Sequence, residues 1–530
     1  MKKYFSLSAL IFYAFIAQCQ SADWANNISC ILYSHCTSCH NPNGIAPFSL
    51  LSYGDALSNA SGIKTQVQNK TMPPFLADVT YQQYAHQKTL TQDEIDQISD
   101  WVNNGAPGGD TTLAPPAPVY SSGSVFNNPD FSAAIPVYNI PLLSNDEYRC
   151  FVISNPFPAD EFITAMEVLP GNRAAVHHVL IFSDDSNIPV QLDTADPAPG
   201  YVSFGGTGSP SSQLIGGYVP GSDPYYLPAN MGMFVPAGSR IIIQVHYPVS
   251  ASGLTDSTRI NFMFSPNAIR EANNAPVLNH SSTLVDGPLF IPANTIKTFH
   301  AQYTVPVDVS VLSIAPHAHL VCTSMTSYGI APGGDTIKFE HIPHWDFHWQ
   351  GAYYFQKPLH IPAGTILYGE ATYDNTTNNP ENPNFPPQDV SLGESTTDEM
   401  MLFYFVYVLY QPGDENIAVD TTGHLEHYLN CSSFTAVAEN AQEEDFTMYP
   451  NPSTGILFIN AGNAGSYSHK ITSVNIFDVL GKDVYTIDVP SDMTGTGIRI
   501  DLSSLQPGVY SIHAGFESGK AVNRKLVIAR

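Results

Sequence analysis

Val176-His177-His178-Val179-Leu180-Ile181-Phe182 is a short, mostly apolar run that contains two adjacent histidines. A run of this length and composition is typical of a buried β-strand. Similar segments recur between residues 137 and 431, separated by Pro, Gly, Asn and Asp: Arg149–Ser154, Arg240–Val245, Val309–Ile314 and Met401–Leu409. Almost no 3.6-residue pattern interrupts them, which predicts mainly antiparallel sheets of sandwich or jelly-roll type. The stretch is too long for one sandwich, so we expect two β-domains, residues 136–290 and 291–432.

Histidines cluster at three places in these β-domains. His177 and His178 are adjacent, His246 ends the strand-like run before Tyr247-Pro248, and His317 and His319 form an H-x-H pair. Residues at i and i+2 share one face of a strand, so the H-x-H pair can bind one ion. His177 and His178 would point to opposite faces, and both can reach one metal only if the strand bulges or twists there.

A methionine decides which metal these histidines favour. Met400 follows Asp398-Glu399 and precedes the apolar run Met401–Leu409. Imidazole binds Cu, Zn, Fe and Ni, whereas a thioether is a soft ligand that favours Cu(I) over Zn. The pattern therefore indicates a three-histidine site and a two-histidine, one-methionine site. Met401, directly beside Met400, is the alternative sulfur ligand.

The order of these motifs resembles that of the copper type II, ascorbate-dependent monooxygenases, which include peptidylglycine α-hydroxylating monooxygenase and dopamine β-monooxygenase. Three further stretches support the resemblance, which covers residues 137 to 431: Tyr148–Phe151, Gly217–Gly221 and Trp345–Gln350. The substrate-anchoring residues of the animal enzymes have no counterpart that we can locate in this sequence, so the substrate stays open.

The resemblance implies two coppers, one in each β-domain, which face each other across a solvent-filled gap. It implies that His177, His178 and His246 hold an electron-transfer copper. It also implies that His317, His319 and Met400 hold the copper at which O2 is activated and a substrate C–H bond is hydroxylated. Each turnover would need two electrons.

Cys36-Thr37-Ser38-Cys39-His40 is a C-x-x-C-H motif, the attachment signature of a c-type haem. The surrounding region, residues 23–110, resembles a small all-α class I cytochrome c: a helical stretch near 53–69 precedes Met72-Pro73-Pro74, and a capping box at Thr91–Glu94 opens another helix. The resemblance implies one covalently bound haem with His40 and Met72 as axial ligands. A chance match or a small zinc knuckle is the alternative.

Both ends of the sequence have features that are typical of export signals. Residues 1–22 have a charged start and a short apolar run, which is typical of a secretory signal peptide; lipidation at Cys19 is the alternative. Residues 448–530, after a predicted acidic linker over 433–447, resemble the C-terminal sorting domain of the type IX secretion system and should form a small β-sandwich. We therefore expect a secreted or outer-membrane surface protein that meets the type IX machinery.

Composition narrows the partners further. The chain has 20 Lys+Arg against 47 Asp+Glu, a net charge of −27, which argues against nucleic acid. Beyond the signal there is no apolar stretch of spanning length, so we expect no transmembrane segment in the mature chain. Residues 111–135 are Pro/Ser/Gly-rich and predict a semi-extended linker. Four cysteines remain for disulfides, in three possible pairings: Cys30, Cys150, Cys322 and Cys431.

These observations favour a secreted copper monooxygenase that hydroxylates a small organic or peptide substrate with O2. An ascorbate-like compound or a redox protein would be the external electron donor, and the fused haem domain would relay the electrons. The alternative is a cell-surface electron-transfer or copper-binding haem protein with no substrate of its own, which would show no substrate-dependent oxygen consumption. A zinc hydrolase is disfavoured, because there is no helical HExxH and methionine is a poor zinc ligand.

Overall fold

The structure is a computed structural model of the 530-residue chain. It describes residues 22–419 except 86, 121–122, 127, 154–156, 266 and 268, and residues 446–529 except 462–470, 478–481, 490–497 and 517–520. The predicted signal peptide (all but residue 22), most of the acidic linker and Cys431 lie outside these ranges. The chain divides into two compact units, residues 1–431 and 432–530.

The N-terminal region is helical. Its helices are α1 (Ser29–His35), α2 (Tyr53–Gln68) and α3 (Gln92–Asn103). The predicted capping box at the start of α3 is confirmed: the Thr91 hydroxyl accepts from the Glu94 amide, and the Glu94 carboxylate accepts from the Thr91 amide. The three helices enclose a small apolar core that includes Leu32, Ile98 and Trp101.

The next region is built of strands, with one short helix, α4 (Ile188–Ala195). Its strands are β1 (Phe131–Ala134), β2 (Tyr138–Asn139), β3 (Glu147–Val152), β4 (Glu161–Leu169), β5 (His178–Asp184), β6 (Tyr201–Val202), β7 (Gln213–Tyr218), β8 (Tyr225–Tyr226), β9 (Met231–Val235), β10 (Arg240–Tyr247), β11 (Thr255–Asp256), β12 (Arg259–Phe264) and β13 (Arg270–Asn279). A five-stranded antiparallel sheet, in the order β6-β3-β10-β5-β7, packs its apolar face into a core with the strands of a second, larger sheet.

The third region continues the β-structure. Its strands are β14 (Phe290–Ile291), β15 (Thr295–Thr304), β16 (Val309–His317), β17 (Cys322–Ile330), β18 (Thr336–Ile342), β19 (Tyr353–Ile361), β20 (Ile366–Asn375), β21 (Val390–Ser391) and β22 (Leu402–Leu409). A four-stranded sheet, β15-β20-β17-β18, covers an aromatic core that contains Phe299, Phe339, Phe403 and Phe405.

One sheet runs through both β regions. Its order is β1-β12-β4-β9-β13-β22-β16-β19, with β8 beside β4. Strand β13 makes the join, since it pairs in parallel with β9 and antiparallel with β22. The two β regions are therefore held by a continuous ladder of backbone hydrogen bonds as well as by side-chain packing.

The segment between α2 and α3, residues 71–90, leaves the helical region and packs against the third region. We call it the docking segment. Its Ala77 and Tyr84 are buried members of the aromatic core, and Tyr84 forms a β-bridge with Phe355. In the part of the chain that the structure describes, we find no helix of the length and apolarity that a membrane span requires.

The C-terminal unit is described by itself. Its strands are β23 (Phe446–Tyr449), β24 (Ile456–Ala461), β25 (Ile471–Phe477), β26 (Asp483–Asp488), β27 (Ile498–Asp501), β28 (Gly508–Phe516) and β29 (Ala521–Ile528). They form a three-stranded sheet, β23-β24-β27, and a four-stranded sheet, β26-β25-β28-β29, with a shared apolar core. This is a small β-sandwich.

Candidate metal centres

His177, His178 and His246 come together at one end of the five-stranded sheet, and we call them the three-histidine site. His246 on β10 is the direct cross-strand partner of His178 on β5. The Nδ1 atom of His178 lies 3.3 Å from the Nδ1 atoms of both His177 and His246. One ligand atom from each residue falls within 4.8 Å of the others. Such convergence suits a metal ion bound by three imidazole nitrogens.

The adjacent histidines reach one point because only His178 belongs to the strand. His177 immediately precedes β5 and follows a turn in which the Val176 amide donates to the Asn172 carbonyl. The His177 amide then donates to the His246 carbonyl over 3.0 Å. From the sequence, both histidines could reach one metal only if the strand bulged or twisted. In the structure a turn just before β5 brings His177 to the same point instead.

Two neighbours fix His246 in this site. Its Nε2 lies 3.1 Å from Asp146 Oδ2, and the Tyr148 ring stacks on the imidazole with centroids 4.3 Å apart. The contact with Asp146 occupies Nε2 and leaves Nδ1 directed at the other two histidines. Burial lowers the pKa of His177 to about 3 and that of His178 well below its ordinary value. Both imidazoles are therefore neutral, which is the form that binds metals.

His317 and His319 lie together in the third region, and His319 contacts Asp398 and Glu399, the two residues before Met400. We call His317, His319 and Met400 the methionine site. His317 ends β16 and pairs with Leu402, the first residue of β22, so Met400 arrives just before that pairing. The imidazole centroids of His317 and His319 are 5.2 Å apart. Burial lowers the pKa of His317 to about 4 and that of His319 to about 3, so these imidazoles are also neutral.

Both histidines of the methionine site are held through Nδ1. His319 Nδ1 donates to the Asp398 carbonyl over 3.1 Å, and His317 Nδ1 donates to Gln350 Oε1. The Gln350 amide is itself oriented, because its Nε2 donates to the Phe347 carbonyl. These contacts place the proton on Nδ1 and leave the Nε2 lone pair of each ring available to a metal.

Glu399 joins the two halves of the methionine site. Its carboxylate is fully buried and accepts four backbone N–H groups, at distances of 2.8 to 3.2 Å, from His319, Val321, Cys322 and Met400. Burial raises the pKa of this carboxyl to about 8, and the four donors act in the opposite direction. Glu399 therefore fixes the turn after His317 to the segment that leads into β22.

The two adjacent methionines have different surroundings. Met401 is fully buried in the aromatic core, whereas Met400 is not part of that core. Successive side chains of an extended chain point to opposite sides, so we expect Met400 to point away from this core. Sequence reasoning missed His280, whose Nδ1 accepts from the Met401 amide at 3.1 Å. It is a single histidine outside every motif, and only the β13–β22 pairing brings it here.

The ring of Phe347 lies between the two sites. It stacks on His177 with centroids 5.1 Å apart and meets His319 edge-on at 5.8 Å. The resemblance implies a solvent-filled gap, but here a buried aromatic ring spans the space between the two histidines. A second link is the loop before Met400, where the Thr396 hydroxyl donates to Asp146.

The C-x-x-C-H motif forms a tight turn at the end of α1. The amides of Cys39 and His40 both donate to the Cys36 carbonyl, and the two thiols are not joined to each other. His40 Nδ1 lies 3.1 Å from the Phe48 carbonyl, which leaves Nε2 without a role in this contact. Met72 lies at the start of the docking segment, just after Thr71.

The disulfide expectation is wrong for two cysteines. Cys150 and Cys322 are buried free thiols, and burial raises the pKa of Cys150 to about 12. Cys150 lies on β3 and Cys322 on β17, in two different sheets, and each is paired with residues of neighbouring strands. Cys431 lies outside the described residues.

Comparison with family models gives two matches. Residues 294–424 match the copper type II ascorbate-dependent monooxygenase, C-terminal domain, and residues 447–529 match the secretion system C-terminal sorting domain. The chain thus contains a copper monooxygenase-like domain, which carries the methionine site. The type IX sorting domain indicates a secreted or cell-surface protein.

Comparison with other proteins adds little. No curated protein matches the chain. Among solved structures, the infectious bursal disease virus VP2 subviral particle is 11% identical, with a TM-score of 0.16, over 55% of this chain and 74% of that chain. The BSP domain of a biofilm associated protein is 7% identical, with a TM-score of 0.15, over 78% of this chain and 84% of that chain. Salmonella alpha-2-macroglobulin reacted with methylamine is 9% identical, with a TM-score of 0.13, over 74% of this chain and 24% of that chain.

Proposed function

We propose that this protein is a secreted copper-dependent monooxygenase. It hydroxylates a C–H bond of a small organic or peptide substrate with O2, and a fused c-type haem relays electrons from an external donor. The observation that carries the proposal is the pair of histidine clusters on either side of Phe347, one of which lies in the matched copper monooxygenase domain.

The donor set at each site fits copper. The three-histidine site offers three convergent Nδ1 atoms from His177, His178 and His246. The methionine site offers the Nε2 atoms of His317 and His319 and the thioether of Met400, a soft ligand set that favours Cu(I). Bound copper would supply one-electron redox chemistry at the first site and the reaction with O2 at the second.

The chain's own residues orient these ligands. Asp146 holds His246, and Gln350 holds His317, so each ring keeps one nitrogen directed at its site. Burial lowers the pKa of four of these imidazoles, those of His177, His178, His317 and His319, so they are neutral and ready to bind without first losing a proton. Phe347 places an apolar ring against His177 of one site and His319 of the other.

The helical region fits a covalently attached haem. Cys36 and Cys39 would form the thioethers, and His40, oriented by the Phe48 carbonyl, would bind the iron through Nε2. Met72 is the proposed ligand on the opposite face. The haem would accept single electrons from an ascorbate-like compound or a redox protein.

Metal analysis of the purified exported protein tests this proposal. We expect one iron and two coppers per chain, and one copper fewer in the double variant His317→Ala/His319→Ala with the haem spectrum unchanged. The intact protein should then consume oxygen with some member of a panel of small organic molecules and peptides. Iron without copper, or zinc in place of copper, would contradict the monooxygenase. Two coppers with no substrate-dependent oxygen consumption across the panel would favour a carrier.

A further inference from the structure

We propose that the docking segment presses the haem attachment turn, Cys36–His40, against the turn after β7, and that electrons enter the copper region there, at the three-histidine site. This inference rests on the proposed function. It goes beyond it by assigning the interface, the residues that maintain it and the copper that receives the electron.

The middle of the docking segment is attached to the third region. The Asp78 amide donates to the His341 carbonyl over 2.8 Å, and the Ala85 amide donates to the Tyr354 carbonyl over 2.7 Å. Between these points the Tyr84 side chain is 1% exposed, and its hydroxyl donates to the Phe339 carbonyl. A segment that is buried in a neighbouring core does not swing freely, so the helical region has a fixed position on the β regions.

The end of the docking segment contacts the turn after β7, and this turn lies against the haem attachment turn. Lys88 Nζ lies 2.9 Å from Asp223 Oδ2 and donates to the Gly221 carbonyl over 3.1 Å. Gly221 has a φ of +84°, and a Cβ placed on it would lie 3.8 Å from Cys39 Sγ. The backbone thus approaches a sulfur that would carry the haem, at a residue with no side chain to hold the two apart.

The same turn leads directly to the three-histidine site. Tyr218 ends β7 and lies just before this turn in the chain. Across the sheet Tyr218 pairs with Val179, the residue that follows His178. The path from Cys39 therefore runs through the close approach to Gly221, the backbone between Gly221 and Tyr218, and one strand pairing before it reaches a proposed copper ligand.

The step is a one-electron transfer. The ferrous haem is oxidised to ferric, and copper(II) at the three-histidine site is reduced to copper(I). No covalent bond forms or breaks and no proton moves. The external one-electron donor, an ascorbate-like compound or a redox protein, reduces the haem again.

The test follows the haem directly, without turnover of substrate. Protein whose haem and copper contents have been verified is oxidised and made anaerobic, and a laser flash delivers one electron to the haem from a photogenerated flavin semiquinone. Reoxidation of the haem is followed in its α-band, and loss of copper(II) is followed by electron paramagnetic resonance. Absent haem or copper at the first check would contradict the proposed function, whereas a loaded protein without electron transfer would contradict this inference alone.

We expect haem reoxidation at a rate independent of protein concentration. The variant Lys88→Glu places like charges against Asp223 and should slow this phase about tenfold or more, because like charges across an interface oppose docking. The charge swap Lys88→Glu/Asp223→Lys should restore it. Lys64→Glu is the matched control, since Lys64 contacts Asn103 within the helical region and lies outside the interface.

Variants of the two copper sites identify the acceptor. His177→Ala/His178→Ala should abolish the phase, and His317→Ala/His319→Ala should leave it intact. The inference is overturned if the second pair abolishes the phase, if the rate rises in proportion to protein concentration, or if Lys88→Glu and Lys64→Glu behave alike.

Discussion

The three-histidine site and the methionine site hold their imidazoles by opposite nitrogens. Asp146 takes Nε2 of His246 and leaves Nδ1 for the site, whereas Gln350 and the Asp398 carbonyl take Nδ1 of His317 and His319 and leave Nε2. The three-histidine site is formed at the ends of two paired strands of one sheet, β5 and β10. The second is assembled from a strand end, a turn and the start of another strand. We infer that sheet pairing preforms the first site and that side-chain contacts maintain the second.

The sharpest test of this comparison separates Met400 from Met401. Met400→Ala should remove the copper–sulfur signal from X-ray absorption and lower bound copper from two to one per chain after dialysis against a chelator. Met401→Ala should keep both coppers but lower the free energy of unfolding by about 2–5 kcal/mol, because it opens a cavity in the aromatic core. The reverse outcome, with sulfur ligation lost in Met401→Ala, would show that the ligand is Met401.

The supporting residues provide the next test. Asp146→Asn should weaken copper binding at the three-histidine site, and Gln350→Leu should do so at the methionine site, each by about 10–100-fold as for other groups that orient metal ligands. Competition with a chromophoric chelator measures both affinities in each variant. Because Thr396 also contacts Asp146, a loss at both sites in Asp146→Asn would mean that the loop before Met400 couples them.

Glu399 tests whether side-chain contacts maintain the methionine site. Glu399→Gln replaces an acceptor oxygen with an NH2 group that faces backbone N–H donors, so we expect a loss of about 1–3 kcal/mol in unfolding free energy. Urea denaturation measures this loss, and copper analysis should show weaker binding at the methionine site only. Equal weakening at the three-histidine site would contradict the proposed difference between the sites.

Much of this architecture could be predicted from local sequence patterns. The capping box at Thr91–Glu94 and the short apolar runs of the β regions predict elements that the structure contains, because each depends on neighbouring residues. The order of the histidine motifs indicated which residues would meet. For the adjacent pair His177-His178 the sequence was not sufficient. Only the structure shows that β5 begins at His178, which pairs with His246 of β10, and that His177 precedes the strand.

The residues that sequence reasoning could not find act over long distances in the chain. Asp146 and His280 reach the sites through strand pairing, and neither belongs to a recognisable spacing. Phe347 lies in the stretch Trp345–Gln350, but only domain packing shows that its ring contacts a histidine of each site. The docking segment is the clearest case. Its Met-Pro-Pro start indicated a haem ligand, but nothing in the pattern indicates that Tyr84 lies in the core of another region.

A second buried carboxyl group in the third region, that of Glu340, gives a predicted change in stability of the opposite sign from Glu399. Both oxygens of Glu340 are buried with no hydrogen-bond partner among the described residues, and burial raises the pKa of this carboxyl well above its ordinary value. The folded protein therefore keeps Glu340 protonated at a pH where the unfolded chain, with a pKa of about 4.3, has released the proton. The unfolded state then binds fewer protons, so this group lowers stability as the pH rises above that value.

Glu340→Met should remove this penalty and stabilise the protein by about 1–3 kcal/mol, with the gain larger at about pH 8 than at about pH 5. Urea denaturation of the wild type and the variant at both pH values measures the difference. Glu340→Gln is the matched control: it cannot ionise but stays polar, so it should lose the pH-dependent part of the penalty and keep the rest. A gain that is equal at the two pH values would mean that Glu340 is ionised in the folded protein, with partners that satisfy its charge.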